Sequence, residues 1–582
     1  MKINDLFKKI DELNDLTTES RAILWLERIT FIFLTIMVCF APHSIAVTQS
    51  AWLIGMIAWL IRIFLKPTPK FKFTAIDYAL WAFFASSVFS SVFSYAPDIS
   101  LDKLRGVSLF LIFYFVYNNL KTVRAVRFLA CALIFSAMFA VLWTPIERMI
   151  GRGVAIYDFR GSAFDQIGLQ EGDTILQIDG KKVGSLEEVR RKIFENPNEP
   201  QFKAQIYRAD AYAMVDIPRE RIKQAASAEE SLGIGRWTRS RNWRAAGFYG
   251  HYTTFAEVLQ LIISLTFGIF IALISKHKFF ARSKDSEEER RGDEEKGRKG
   301  EGEKGRRGDG ERRRKGENIE KLKQDNADLG NKSPFLPFSP SPLLFLCLAG
   351  MALALLLTAT RASQFAFFVS AAFIVLLSGN RKIILTLAAT VLPLTIIGLL
   401  VYQQTRKIGF DLTDNSTGYR LMMWRDGARL FTANAHNAVF GVGMDSIKRY
   451  WQDWDLYDKG REPQGHFHST LVQLAVERGL PSLIIWLTIL GIYARTLWRW
   501  LRVESRESRV ESLEDENPQS AFQNSQSEIE RGIILGAFGG LIGFFTSGLV
   551  HYNLGDGEVA MVFYILMGLS IFICDSKAEA RV

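Results

Sequence analysis

The chain has 582 residues, of which 48% are apolar and 13% aromatic, and its formal net charge is +10. These bulk values also fit a large soluble protein, so the distribution of apolar residues along the chain decides the class. Apolar runs of about 15 to 20 residues, the length that crosses a bilayer as a helix, recur from Ile29 to Ile573. They exclude a soluble protein, and we predict an all-α polytopic membrane protein.

Twelve apolar runs are predicted to be transmembrane helices. They begin near Ile29, Val47, Ile76, Val107, Phe128, Phe255, Leu343, Phe365, Ile383, Leu483, Ile533 and Val559. Lys and Arg are concentrated in the loops after the even-numbered spans, which the positive-inside rule assigns to the cytoplasm. Both termini are therefore predicted to be cytoplasmic. Because membrane orientation explains the positive charge, no nucleic-acid partner is predicted.

The same features divide the chain into segments. Residues 1–145 hold spans one to five, 150–222 an inserted domain, 236–275 a re-entry segment and span six, 341–403 spans seven to nine, 404–481 a long extracytoplasmic loop, 482–500 span ten, and 532–575 the last two spans. Residues 276–332 and 501–530 are charged and low in complexity. Such segments cannot bury a core, so both are predicted to be cytoplasmic linkers without structure.

The inserted domain carries the pattern of a small α+β unit. Residues 174–183, TILQIDGKKV, alternate in polarity around a predicted hairpin turn at Asp179-Gly180, and a helix with a serine cap follows from Ser185. The stretch Gly168–Val183 resembles a bacterial PDZ domain. PDZ domains bind extended peptides at a sheet edge, and the resemblance places the loop that cradles the peptide carboxylate near Gly151–Tyr157. Binding of an envelope protein and a purely structural role both stay open.

Three polar clusters lie next to spans, where ionisable residues are costly and often functional. They are TATRAS with Arg361, STGYRLMMWRDGARLF with Arg420 leading to the glycine turn Gly441-Val442-Gly443, and GHFHSTLVQLAVERGL with His466, His468 and Glu477. In the predicted topology all three lie on the outer face. The sequence therefore predicts one site assembled from distant parts of the chain.

The residue types in these clusters suit reactions of phosphate-linked substrates. A guanidinium group binds phosphate with two parallel hydrogen bonds, and a histidine can take a proton from a hydroxyl near neutral pH. Two arginines could thus neutralise a pyrophosphate leaving group. No acidic pair accompanies the histidines at metal-ligand spacing, and GVG lacks the context of a nucleotide site, so no metal and no cofactor are predicted. Arg361 as an interfacial anchor and His-x-His as a metal pair remain alternatives.

Together the clusters resemble the O-antigen ligase and polymerase superfamily of bacterial membrane glycosyltransferases. The most specific match is His468-Ser469, then nine residues, then Gly479. TATRAS, GYRLMMW, the GVG turn and RAAGFYGHYTTFAEVL, which begins at Arg244, resemble further family segments. The chain departs from the family at Ser469, where asparagine is common, and at Tyr249-Gly250-His251, which replaces a step that contains asparagine.

The resemblance implies transfer of a glycan from an undecaprenyl-pyrophosphate carrier to an acceptor hydroxyl, without metal or free nucleotide. It also implies that the reaction takes place on the outer face of a bacterial cytoplasmic (inner) membrane. The acceptor would be a lipid A core, a growing glycan or a protein. His468 would be the catalytic base, and Arg361 and Arg420 would hold the pyrophosphate. Supporting roles are predicted for Arg244, His466, Glu477 and Gly443.

A different class of function is also compatible with these residues. Some members of the superfamily have been proposed to transport small anions such as bicarbonate, and arginines beside a histidine would suit an anion path. The ionisable residues, however, cluster at one face and do not line the middle of the membrane. The sequence therefore favours glycan transfer.

Overall fold

The structure is a helical membrane bundle that carries an inserted sheet domain. The computed structural model describes residues 3–18, 20–159, 169–195, 199–208, 211–222, 225–241, 244–274, 340–379, 415–461, 465–511 and 518–579. Within these ranges, nine helices are long and apolar enough to cross a membrane. The predicted fold class, a polytopic α-helical membrane protein with an α+β insertion, is confirmed. The span predicted near Ile383 lies outside the described residues, as does the linker 276–332.

Eight helices precede the inserted domain. They are α1 Ile3–Asn14, α2 Arg21–Phe40, α3 Ile45–Phe64, α4 Ala75–Val92, α5 Pro97–Asp102, α6 Leu104–Val107, α7 Leu111–Asn119 and α8 Val123–Ile150. Side-chain caps fix where some of them begin: the Ser44 hydroxyl accepts a hydrogen bond from the Val47 amide, and Thr122 accepts one from Ala125. The span predicted near Val107 is not continuous, because a 3₁₀ turn at Ser108–Phe110 separates α6 from α7.

The inserted domain is an antiparallel sheet with two short helices. Its strands are β1 Arg152–Phe159, β2 Thr174–Ile178, β3 Lys181–Lys182, β4 Gln201–Arg208, β5 Ala211–Pro218 and β6 Ile234–Ser240, and its helices are α9 Leu186–Glu195 and α10 Ala228–Leu232. The strand order is β5-β4-β2-β1-β6, with β3 paired to β2. The predicted hairpin turn is confirmed: Asp179 and Gly180 both have positive φ, as a tight turn between two strands requires.

Two features of this domain differ from the sequence prediction. The predicted domain ended at residue 222, but β6 pairs with β1 and belongs to the same sheet. The segment Gly151–Tyr157, predicted to contain a carboxylate-binding loop, is instead strand β1, which pairs with β2 on one side and β6 on the other. This prediction was wrong, since the backbone of a strand paired on both sides is already engaged in the ladder.

Leu169 belongs to the core of this domain. Its side chain is 3% exposed and joins a cluster with Val154, Ile175 and Val189. We expect Leu169→Asp to destabilise the domain by about 3 kcal/mol or more, because the substitution removes apolar burial and places a charge in the core. Limited proteolysis of the purified full-length protein checks this: cleavage between residues 150 and 240 should accelerate. Met214→Asp is the matched control, since Met214 is 61% exposed on β5. Equal resistance of the two variants would contradict the assignment.

The described residues after the domain contain ten further helices, which belong to the bundle and to the long loop. They are α11 Tyr252–Ile274, α12 Pro340–Leu357, α13 Arg361–Ser378, α14 Asn415–Thr432, α15 Ala435–Val439, α16 Ser446–Tyr450, α17 Leu456–Gly460, α18 Thr470–Glu511, α19 Pro518–Gly548 and α20 Gly557–Glu579. Helix α18 breaks at Gly479, whose φ is 75° and ψ 171°. The linker predicted at 501–530 differs from the structure, because α18 is helical to Glu511 and α19 begins at Pro518.

Helices α11 and α19 approach each other backbone to backbone. A Cβ atom on Gly268 would collide with the backbone of Gly532 and Gly536, and one on Gly536 would collide with Leu265. Small residues spaced four apart allow such close packing of membrane helices. The contact fixes α11 and α19 side by side in the bundle.

Candidate active site

Four segments meet at the end of the bundle that carries the sheet domain. They are helix α14, residues 465–469 before α18, residues 549–556 between α19 and α20, and residues 244–251 before α11. The backbone amide of Thr470 and its hydroxyl both donate to the His551 carbonyl, at 3.0 and 3.1 Å. The two loops that carry histidines are therefore tied to each other.

The histidine pair sits on a backbone anchored by Trp424. The Trp424 indole N–H donates to the Phe467 carbonyl at 3.0 Å, and the Phe467 amide donates to the Gln473 side chain at 2.7 Å. The rings of His466 and His468 meet edge to face, with centroids 4.1 Å apart. His468 has a φ of 48°, which is uncommon for a residue other than glycine. Arg420 precedes Trp424 by one helical turn and so lies on the same face of α14.

Burial and nearby positive charge keep this histidine cluster neutral. Burial lowers the pKa of His468 to about 3. Repulsion from His466, His551 and His251 when they are protonated, and from the permanent charge of Arg420, lowers it further. Burial likewise lowers the pKa of His551 to about 3, with Arg420 as the next cause. At neutral pH, His468 is therefore an unprotonated base beside a permanent guanidinium charge. Such a site attracts anions.

Glu477 and Gly443 connect the glycine turn to α18 through hydrogen bonds. The Gly443 amide donates to the Glu477 carbonyl at 2.9 Å, and the Asp445 amide donates to the Glu477 carboxylate at 2.8 Å. Gly443, at φ 96°, packs so closely on Ser94 that a Cβ would overlap the serine hydroxyl. Both residues therefore have a structural role, because they hold the glycine turn against the first turns of α18.

The structure places the two remaining arginines on neighbouring segments. The Arg244 guanidinium lies over the Tyr252 ring, 4.6 Å from its centroid, and its charge is among those that lower the pKa of His551. Arg361 is the exposed first residue of α13. The segment after Arg244 reaches the end of α12 through a 3.0 Å hydrogen bond from the Ala245 amide to the Leu357 carbonyl. Arg244 and Arg420 thus act on the histidines directly, whereas Arg361 lies beyond Leu357.

The sheet domain touches the same site. The Tyr207 hydroxyl accepts a hydrogen bond from the Arg244 amide at 3.2 Å, and the Tyr212 ring lies 6.1 Å from that of His251. An ion pair between Arg152 and Glu147 joins β1 to the end of α8. The end of the β4–β5 hairpin therefore forms part of the boundary of the histidine cluster.

Several residues of this cluster were not predicted from the sequence. They are His251, Glu257, His551 and Asp556. Glu257 is 2% exposed in the second turn of α11, and its carboxylate lies 3.7 Å from the His551 ring. The Thr254 hydroxyl donates to Asp556 at 2.6 Å. The signal was present in the chain, because a glutamate inside an apolar run is costly and usually functional.

Comparison with known families covers the histidine and arginine motifs. Residues 346–487 match the O-Antigen ligase family model. Residues 160–202 match the PDZ domain model. The predicted resemblance to the O-antigen ligase and polymerase superfamily, with an inserted PDZ-like domain, is confirmed over these two segments. The first match contains Arg361, Arg420 and His468, and it supports glycosyl transfer of the ligase or polymerase type at the family level. No curated protein matches the chain.

Proposed function

We propose that this protein transfers a glycan from an undecaprenyl-pyrophosphate carrier to an acceptor hydroxyl on the outer face of a bacterial inner membrane, with both of its termini in the cytoplasm. One observation carries the proposal: a neutral, half-buried His468 feels the positive charge of Arg420, inside the segment that matches the O-Antigen ligase family. The motif that suggested the reaction and the geometry around these two residues both support the proposal.

His468 is the proposed general base. Its ring nitrogen takes the proton of the acceptor hydroxyl while the hydroxyl oxygen attacks the anomeric carbon of the donor sugar. The bond from that carbon to the pyrophosphate oxygen breaks, and the electron pair leaves with the carrier pyrophosphate. Arg420 stabilises the charge that develops on the leaving group, because a guanidinium stays charged and offers two parallel donors.

The low pKa of His468 is compatible with this role. A pyrophosphate brought next to Arg420 adds negative charge beside the imidazole, and a nearby negative charge raises the pKa of a histidine. Donor binding would then raise the pKa of His468 from about 3 toward the range in which a base is effective. The base is thus strengthened only when the leaving group is in place.

The other predicted residues take supporting roles in this proposal. Arg361 contributes to pyrophosphate binding from the start of α13, and Arg244 adds positive charge near His551. His466 packs against the catalytic ring, while Glu477 and Gly443 hold the loop that presents it. Catalysis without metal stays a prediction.

The partners follow from the same proposal. The acceptor is a lipid A core, a growing glycan or a protein, and these choices separate a ligase, a polymerase and a protein-glycosylating enzyme. The PDZ domain is proposed to contact an envelope protein. Such a contact would use an outer sheet edge, at β5 or β6, because β1 is paired on both sides.

The test is a deletion of the gene, complemented with the wild-type gene or an empty vector. Surface lipopolysaccharide is resolved on a gel and undecaprenyl-linked glycans are extracted. We expect the deletion to change the glycan pattern and the wild-type gene to restore it. Full-length chains stranded on the carrier indicate a ligase, and single repeat units indicate a polymerase. Unchanged glycans with growth that depends on an inorganic anion would overturn the proposal in favour of transport.

A further inference from the structure

Two tyrosines of the inserted sheet domain lie side by side next to the histidine cluster. Tyr207 on β4 and Tyr212 on β5 are paired directly across the two strands, and their ring centroids are 5.4 Å apart. Residues paired in this way project from the same face of a sheet. Both tyrosines contact residues 244–251. The inserted domain therefore presents two adjacent aromatic rings to the segment that carries part of the site.

The two rings have different surroundings. Tyr207 is 5% exposed and packs with Ala245 and Leu357, which lie outside the sheet domain. Tyr212 is partly exposed, and its ring centroid lies 6.1 Å from that of His251. Tyr207 thus attaches the ends of β4 and β5 to the rest of the protein, whereas part of the Tyr212 side chain stays accessible.

His251 adds a polar group next to the Tyr212 ring. Its side chain is exposed, and its Nδ1 accepts a hydrogen bond from the Thr253 amide at 3.2 Å. The surrounding protein still lowers the pKa of His251 by desolvation, and the charge of Arg244 lowers it further, so the ring is neutral at neutral pH. Because Nδ1 is the acceptor, the proton is on Nε2. Within the part of the chain that the structure describes, this Nε2–H has no hydrogen-bond partner.

The two rings lead toward the reacting part of the site. The rings of His251 and Tyr252 stack with centroids 4.4 Å apart, and the Arg244 guanidinium lies over the Tyr252 ring. His251 is also among the groups that act electrostatically on His468. Tyr212, His251 and Tyr252 therefore form an aromatic row from the sheet domain to the neighbourhood of the proposed base.

We propose that Tyr212 and His251 form a subsite that binds one pyranose ring of the glycan beside the transfer site. This inference rests on the proposed function. The C–H bonds on one face of a pyranose are weakly positive and pack against the negative face of an aromatic ring, while its hydroxyls require hydrogen-bonding groups. Tyr212 supplies the aromatic face, and Nε2–H of His251 supplies a donor. The inserted domain thereby takes part in substrate binding.

The test measures binding of two oligosaccharides to the purified full-length protein in nanodiscs by saturation-transfer NMR. One is the glycan released from the undecaprenyl-linked pool of the deletion strain, and the other is the core oligosaccharide of its lipopolysaccharide. We expect Tyr212→Leu to raise the Kd for at least one of them about fivefold to tenfold, because leucine keeps an apolar contact with Tyr207 but has no aromatic face. Tyr212→Phe keeps that face and should stay within about twofold of the wild type. A rise for the first probe assigns the subsite to the donor, and a rise for the second assigns it to the acceptor.

The matched control is Tyr157→Leu. Tyr157 is a partly exposed tyrosine of the same sheet, and its ring contacts Arg236 on β6. This variant should bind both probes as the wild type does. The inference is overturned if the wild type binds neither probe, if Tyr212→Leu leaves both Kd values unchanged, or if Tyr212→Leu and Tyr212→Phe weaken binding equally. If Tyr212→Leu does not fold, His251→Ala takes its place, and unchanged Kd values in that variant overturn the inference as well. A wild-type protein that binds these probes but transfers no glycan overturns the proposed function and leaves the subsite standing.

Discussion

Replacing His468 with alanine should lower kcat for glycan transfer by a factor of about a hundred to ten thousand, the usual contribution of a general base. The ring is the unprotonated base of a partly buried histidine cluster, and its backbone is held through the Trp424 and Gln473 contacts with Phe467. These contacts do not involve the His468 side chain, so the loop should persist in the variant. The KM for the donor should change little, because Arg420 remains in place.

The control for this variant is His436→Ala. His436 lies in α15, where its ring packs on Tyr95 and Phe440, and it is not among the groups that lower the pKa of His468. Rates are measured in proteoliposomes at equal amounts of folded protein. We expect the control to retain transfer within a few-fold of wild type. Wild-type turnover by His468→Ala would contradict the assignment of the base.

Most of the spans could be predicted from the sequence because the membrane sets a requirement on each crossing segment by itself. Each crossing helix needs a continuous apolar run, and such runs are visible without tertiary information. The interruption near Val107 and the helix that continues to Glu511 were not predicted. In the second case, a charged and low-complexity composition suggested disorder, although Glu and Arg are good helix formers.

The site was predicted in part for a related reason. Arg420 and Trp424 are one turn apart on a helix, and His466 and His468 are two residues apart, so local spacing brings each pair together. Glu257 and His551 are far apart in the chain, and they meet through the packing of α11 on α19 and the hydrogen bond from Thr254 to Asp556. That contact depends on glycines, and the residues that pack against them cannot be inferred from a single sequence. The extension of the sheet to β6 was missed likewise, because pairing with β1 is a long-range contact.

Gly441→Ala should destabilise the protein by about 3 kcal/mol or more. Gly441 has a φ of 76°, a conformation that costs an alanine about 1 kcal/mol, and an added Cβ would collide with the Glu477 carbonyl carbon and oxygen. Since these are backbone atoms of α18, relief requires the helix to move away from the glycine turn. The His468 loop directly precedes α18, so transfer activity should fall together with stability.

Thermal unfolding of the detergent-solubilised protein measures this effect, with Gly491→Ala as the control. Gly491 lies in the spanning part of α18, and a Cβ there would meet no atom within 4 Å. Because alanine favours a helix over glycine by up to about 1 kcal/mol, this control should leave the Tm unchanged or raise it. Equal Tm values for the two variants would mean that the turn and α18 are not in close contact. The fixed contact between Gly441 and Glu477 would then not explain how the loop before α18 is held.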